Sequence, residues 1–187
     1  GSSWSSLQLN LPVTPITDLN VHKGNLIAAT SGRSFWILDD LNVLHQYGGK
    51  TNSFELLQPN SAYLSNHYSQ MNSSDTEFDG SQPYAGVNPA NGIVLYYNLP
   101  KMDRSDELVL EIKDSAGNIV RTISSQRDRS YKRWDGGPPP EPTLSKDEGL
   151  NRFVWDMRYP NIPGVPNVYI EGSYRGHKAP PGSYSFT

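Results

Sequence analysis

Residues 108–123 read Leu-Val-Leu-Glu-Ile-Lys-Asp-Ser-Ala-Gly-Asn-Ile-Val-Arg-Thr-Ile, and this stretch decides the fold class. Leu108, Leu110 and Ile112 occupy every second position, so they share one face of an extended strand. The polar sequence 114–118, with a glycine near its end, is typical of a hairpin loop. Residues 119–123 are again rich in β-branched residues. The stretch therefore predicts an antiparallel hairpin.

Further strand patterns lie on both sides of this hairpin. Residues 93–97 form an apolar run, and Phe153, Trp155 and Met157 alternate with Val154, Asp156 and Arg158. The turn Pro180-Pro181-Gly182 precedes Tyr184 and Phe186. Short strands at this spacing predict an immunoglobulin-like antiparallel β-sandwich over residues 84–187, with its last strand cut short. We expect Phe153, Trp155 and Met157 to face a core shared with Leu110, Ile112 and Tyr184, and Asp156 to pair with Arg158 on the opposite face.

The first part of the chain carries a second cluster of strands. Four short segments lie within residues 4–44 and are separated by turns, including Lys23-Gly24-Asn25 and Ser31-Gly32-Arg33. They predict a four-stranded antiparallel meander in a unit spanning residues 1–47. A lone meander is marginally stable because both of its faces need neighbours. We therefore expect this unit to dock on the sandwich or to self-associate.

Residues 48–83 connect the two clusters. They are rich in Ser, Asn and Gly, and only a few apolar residues could anchor them. This composition predicts a linker that crosses a surface. The whole chain is thus expected to be all-β, with a blade-like meander followed by a sandwich.

The composition narrows the functional classes. The 187 residues include 16 glycines, 15 prolines and no cysteine, which excludes disulfides, thiolate metal sites and cysteine nucleophiles. The net charge of −3 argues against a nucleic-acid partner. No apolar run is long enough to predict a membrane span. The sequence gives no indication of a cofactor.

Two groups of acidic residues resemble reactive or metal-binding sites. Asp39-Asp40 could supply paired carboxylates for hydrolysis, but two acids at a strand end more simply bond loop amides, and Arg33 could pair with them. Asp75, Glu77 and Asp79 occupy alternate positions before Gly80, like the start of a calcium loop. The twelfth position is Gly86 instead of glutamate, so a solvated acidic loop is the alternative. The four histidines lack zinc-site spacing, and we predict no metal site from them.

A loop near the middle of the second cluster combines aromatic and charged residues. Tyr131, Trp134 and Asp135 lie close together with Lys132 and Arg133, directly before the prolines 138–140. Aromatic faces can stack on sugar rings while a carboxylate bonds the hydroxyl groups, so these three residues are candidates for a carbohydrate contact. The alternative is that Trp134 packs over the sandwich with the prolines against it.

Two blocks of sequence resemble a known family in the same order. Leu26-Ile27-Ala28-Ala29-Thr30-Ser31-Gly32-Arg33-Ser34-Phe35-Trp36-Ile37-Leu38-Asp39-Asp40 resembles the last blade of bacterial BNR-repeat glycosyl hydrolase or sortilin-like β-propeller proteins. Residues 149–160, with Trp155-Asp156, and the later Pro181-Gly182-Ser183-Tyr184 are similar to the sandwich that follows the propeller in these proteins. The same pattern resembles the immunoglobulin-like domain of flagellar hook-cap proteins.

The resemblance implies a location outside the cytoplasm and a role as the C-terminal segment of such a propeller protein. One blade cannot build a glycosidase site that several blades share, so this segment is expected to be non-catalytic. It would close the propeller and supply an accessory sandwich for packing or partner binding, with the rest of the propeller as its first partner. The alternative is a carbohydrate-binding module, or the tail of a hydrolase whose catalytic residues lie upstream. The further partner would then be a glycan or a protein.

Overall fold

The computed structural model describes residues 4, 6–47, 53–64, 90–166, 168 and 170–187. These residues divide into two compact units, one formed by residues up to 47 and the other by residues 53–64 together with the described residues from 90 onward. The chain is nearly all-β, as the sequence predicts. Within its described part the strands form three antiparallel sheets of three strands each.

The first unit contains one sheet in the order β1-β2-β3, followed by a short helix. Strands β1 (Ile16–His22), β2 (Asn25–Thr30) and β3 (Phe35–Leu38) form a meander, and α1 spans Leu41–Gln46. Gly24 and Gly32 have φ of 78° and 80° in the two connecting turns, a backbone conformation that favours glycine.

The predicted fourth strand of the meander is not found. The described residues 6–10 are outside any strand, and Leu9 has a φ of 47°. Pro12 and Pro15 lack backbone N–H donors, so this segment is poorly suited to extend a β-ladder. At the other end, β3 lies within the predicted last strand, and the helix α1 that follows it was not predicted. The sheet of the first unit therefore has three strands in the described residues.

The second unit is a sandwich of two sheets, one with the order β4-β5-β8 and the other with the order β7-β6-β9. Its strands are listed in chain order: β4 (Glu55–Leu56), β5 (Ile93–Leu99), β6 (Val109–Asp114), β7 (Ile119–Ser124), β8 (Gly149–Trp155) and β9 (Tyr184–Phe186). Edge strand β4 and the buried Leu57 come from residues that the sequence pattern assigned to the linker. The second unit thus includes residues that precede position 84.

The core lies between these two sheets, where the alternation predicted it. Trp155 on β8 is only 1% exposed, and its ring makes edge contacts with Tyr184 and Phe186 of β9 at centroid distances of 5.1 and 6.0 Å. Leu110 and Ile112 are buried in the same cluster. Rings of this size bury a large apolar area, and their edge-to-face packing adds to that stabilisation.

Strand β8 ends at Trp155, earlier than the alternation through Arg158 predicts. Met157 nevertheless remains buried, and it has a φ of 54°. The expected ion pair between Asp156 and Arg158 is not formed. Asp156 accepts a hydrogen bond from Arg121 instead, and Arg158 Nη1 donates to the carbonyl of Gly176 at 2.8 Å.

Candidate functional site

The proline-rich segment that follows the predicted sugar-contacting loop is fixed to the sandwich by a buried cation. Arg121 lies on β7 in register with the fully buried Ile112, and its side chain is 5% exposed. Its guanidinium donates to Glu141 Oε2 at 2.6 Å and to Asp156 Oδ1 at 2.8 Å. A buried cation is stable in such a position only when carboxylates neutralise it.

Glu141 also holds the proline-rich segment of residues 138–142 in place through its second carboxylate oxygen. Its second oxygen, Oε1, accepts the backbone N–H of Asn161 at 2.7 Å, and Asn161 Nδ2 donates to the carbonyl of Pro139 at 3.2 Å. Tyr131 closes the other end of the segment by donating its hydroxyl to the carbonyl of Pro138 at 2.8 Å. The proline-rich segment is therefore held from both sides.

A groove of about 850 Å³ runs along this segment and is called the proline groove below. Its lining includes Arg127, Asp128 and Tyr131, the proline-rich segment with Glu141, and Asn161 and Ile162. Such a volume lies in the range of small-ligand sites, which commonly combine apolar walls with a few polar groups. The proline groove can thus offer both hydrogen bonds and apolar contacts.

The three predicted carbohydrate-binding residues do not share one surface of this groove. Tyr131 lines it, whereas Trp134 and Asp135 are not among its lining residues. Trp134 is half-buried, and its ring lies so close to Gly137 that a Cβ there would be 2.6 Å from Trp134 Cε2. A Cβ on Gly164 would likewise be 2.9 Å from Trp134 Cζ2 and 2.8 Å from Pro138 Cδ. The ring of Trp134 therefore packs on two glycine backbones beside the proline-rich segment.

A second cavity, of about 230 Å³, lies between the sheets of the sandwich. Its lining is almost wholly apolar and includes Leu95, Leu110 and Phe186. Tyr97 also reaches it, but the hydroxyl of that residue donates to the carbonyl of Ser145 at 2.9 Å, and burial raises its pKa. This cavity offers no charged side chain to orient a ligand, so the proline groove is the stronger candidate site.

The sheet of the first unit presents a different kind of surface, because large apolar side chains are exposed on both of its faces. Cross-strand partners point to the same face, so the register defines the two sets. The first face carries Leu19, Val21, Leu26, Ala28, Trp36 and Leu38; the second carries Asp18, Asn20, His22, Asn25, Ile27, Ala29, Phe35 and Ile37. Leu19 and Val21 are 59% and 64% exposed, and Phe35 and Ile37 are 73% and 60% exposed. Large apolar residues are thus open to solvent on both faces.

The acidic candidates are placed as follows. Asp39 directly follows β3, and Asp40 is the N-cap residue of α1, where its backbone N–H donates to Asn25 Oδ1 at 3.1 Å. Asp75, Glu77 and Asp79 lie outside the described residues. Among the residues that are described, no group of three or more His, Asp or Glu side chains could hold a metal ion.

The described residues contain no helix with the length and apolar character to cross a bilayer.

Sequence reasoning missed the role of Arg121 and Glu141. The available signal was Arg121, which lies between Ile119 and Ile123 on a predicted strand. A cation on the apolar face of a strand needs acidic partners. Comparison of the chain with protein-family models, with curated proteins and with solved structures gave no match.

Proposed function

We propose that this chain is a non-catalytic C-terminal segment of an extracytoplasmic BNR/sortilin-like β-propeller protein. In this proposal the first unit is part of the last blade, and the second unit is an accessory sandwich for packing or partner binding. The sequence likeness of residues 26–40 to a last blade is one support. The main support is that the sheet of β1, β2 and β3 exposes large apolar side chains on both of its faces.

A propeller explains why both faces would carry large apolar side chains. Its blades are small antiparallel sheets arranged radially, so each blade packs face to face with a neighbour on either side. A sheet in a two-layer domain needs only one apolar face. The exposed Leu19 and Val21 on one face, and Phe35 and Ile37 on the other, fit a sheet enclosed by two neighbours.

The strand count adds a requirement. A propeller blade has four strands, whereas the described residues of the first unit supply three. The proposal therefore requires another segment of the parent protein to add a strand at the free edge of β1 or of β3. A hydrolase site that several blades share would likewise need residues from outside this sheet.

Sedimentation velocity over a range of concentrations tests this proposal. We expect the 187-residue chain to self-associate, because no neighbouring blades cover its two faces. The pair Leu19→Ser and Val21→Ser, and separately the pair Phe35→Ser and Ile37→Ser, should each weaken association. Ile119→Ser with Val165→Ser, at exposed apolar positions of the second unit, is the matched control. A monomeric chain, or an effect of only one face, would argue against a blade.

The proline groove favours a second candidate function, a carbohydrate-binding module. Its apolar proline wall could pack on the C–H face of a sugar, while Asn161 and Asp128 could bond hydroxyl groups. Binding of oligosaccharides to the purified chain, measured by calorimetry, tests this candidate. Loss of binding in Tyr131→Ala would locate the site at the proline groove.

A further inference from the structure

Four positive charges lie within the seven residues 127–133, and the first of them, Arg127, lines the proline groove. Arg127, Arg129, Lys132 and Arg133 are all exposed, and we call them together the basic loop. None of the four forms an ion pair with another residue in the part of the chain that the structure describes. A concentration of this kind is unexpected in a chain with a net charge of −3.

The one acid inside the basic loop is already engaged by its neighbours. Asp128 Oδ1 accepts the backbone N–H and the hydroxyl of Ser130, both at 2.7 Å. These bonds lower the pKa of Asp128 and fix its carboxylate within the loop. The four cations still outnumber this one acid within residues 127–133. Arg127 lines the groove, and so do the carboxylates Asp128 and Glu141, which can accept hydrogen bonds from hydroxyl groups.

The groove beside the basic loop is built before any ligand arrives. Glu141, held by Arg121 and by the N–H of Asn161, fixes the wall formed by the proline-rich segment of residues 138–142. Proline also has little backbone freedom to lose on binding. A rigid wall of proline rings next to a loop with four exposed cations matches a ligand that combines C–H faces with several negative charges.

We propose that the basic loop and the proline groove bind an acidic polysaccharide, with carboxylate or sulfate groups on the basic loop and a sugar ring in the groove. This inference deepens the carbohydrate-binding candidate above and does not depend on the propeller proposal. Lysine and arginine side chains would pair with the acidic groups, and arginine can do so through two parallel hydrogen bonds. Gln126 and Asn161 line the groove at positions suited to the sugar hydroxyls.

A single-stranded nucleic acid is the less suitable polyanion for this surface. Proteins that bind single strands stack successive bases on open aromatic faces. Here Trp134 packs on Gly137 and Gly164, and Tyr131 is half-buried with its hydroxyl bonded to Pro138. The aromatic residues next to the basic loop are thus engaged by the protein itself.

Fluorescence anisotropy with labelled decamers tests the inference on the full chain. The acidic probes are a heparin-derived decasaccharide and a galacturonate decamer; maltodecaose is the neutral probe, and a thymidylate decamer is the nucleic-acid probe. We expect both acidic sugars to bind at low salt and to weaken steeply as salt increases. The triple variant Arg127→Gln, Arg129→Gln and Arg133→Gln should bind them about tenfold more weakly.

A matched triple variant, Lys101→Gln, Arg104→Gln and Arg152→Gln, changes the charge equally at exposed positions elsewhere in the second unit and should bind like the parent chain. Equal losses in the two triple variants would overturn the inference, as would tighter binding of the thymidylate decamer. Equal binding of maltodecaose would overturn the acidic specificity but keep the carbohydrate-binding candidate. Binding of none of the sugars would overturn both.

Discussion

Arg121 Nη2 donates to Glu141 Oε2 at 2.6 Å, and this contact joins strand β7 to the proline-rich segment. The arginine side chain is 5% exposed, whereas that of the glutamate is 43% exposed. The pair thus spans the boundary between the core and the surface. A buried side chain of β7 therefore contacts the wall of the proline groove through Glu141.

Removal of the Glu141 carboxylate should loosen that wall. We expect Glu141→Gln to lower the free energy of unfolding by about 1–2 kcal/mol, because Arg121 keeps only Asp156 as its acidic partner. The exposure of Glu141 to water limits the effect. Urea denaturation measures the change, and limited proteolysis should detect faster cleavage near residues 138–142. Glu148→Gln, at an exposed position, is the control, and an equal loss in both variants would contradict the role of Glu141.

A side chain at Gly176 should be strongly destabilising. A Cβ at this buried position would collide with the carbonyl oxygens of Tyr159 and Pro160, which are backbone atoms and cannot rotate away. We expect Gly176→Ala to cost about 3 kcal/mol or more in urea denaturation. Gly172→Ala is the control, because nothing lies within 4 Å of a Cβ there. Similar stability of the two variants would show that the chain does not approach Gly176 so closely.

Trp155 should contribute far more to stability than Trp134. Trp155 is 1% exposed between the two sheets, so Trp155→Ala should leave a cavity that costs about 3–5 kcal/mol. Trp134 is half-buried on two glycines, and Trp134→Ala should cost clearly less. Chemical denaturation of both variants under the same conditions gives the comparison. A larger loss for Trp134 would place the core elsewhere than the described sandwich.

The hairpin loop of the second unit should carry a pH-dependent contribution. Hydrogen bonds from the side chain and backbone of Asn118 hold the pKa of Asp114 below its usual value of 3.8. A carboxyl whose pKa is lower in the folded chain stabilises the fold fully above the unfolded value, and this contribution is lost as pH falls through the folded value. We expect Asp114→Asn to lower the melting temperature near neutral pH and to leave it nearly unchanged in strong acid.

Circular dichroism during heating at several pH values checks this prediction. Asp135→Asn, on an exposed loop, is the control and should melt like the parent chain at every pH. If Asp114→Asn lowers the melting temperature equally at neutral and acid pH, the ionised carboxylate is not the source of the stabilisation.

The alternation of side chains made the sandwich core predictable. Trp155, Leu110 and Ile112 were assigned to it from their spacing, and all three are buried. Burial of every second residue is a local property of a strand, so a single segment contains the information. Strand β4 was not predicted, because its two residues, Glu55 and Leu56, are too few to show an alternating pattern.

The contacts that build the candidate site could be predicted from the sequence only in part. Tyr131 was predicted and lines the proline groove, but its hydroxyl bond to Pro138 depends on how the loop closes. The partners of Arg121 lie 20 and 35 residues away along the chain, at Glu141 and Asp156. Nothing in the spacing of these residues indicates the contact, because it arises only when the sheets pack.

The two apolar faces of the sheet formed by β1, β2 and β3 are central to the proposed blade, and hydroxyl-radical labelling measures their accessibility directly. Labelling of the chain at low and at high concentration, read by mass spectrometry, should show protection of Leu19 and Val21 and also of Phe35 and Ile37 in the associated form. Phe54 of the second unit is 67% exposed and serves as the reference. Protection of both faces is the result expected for a blade. Protection of only one face, or of neither, would contradict it.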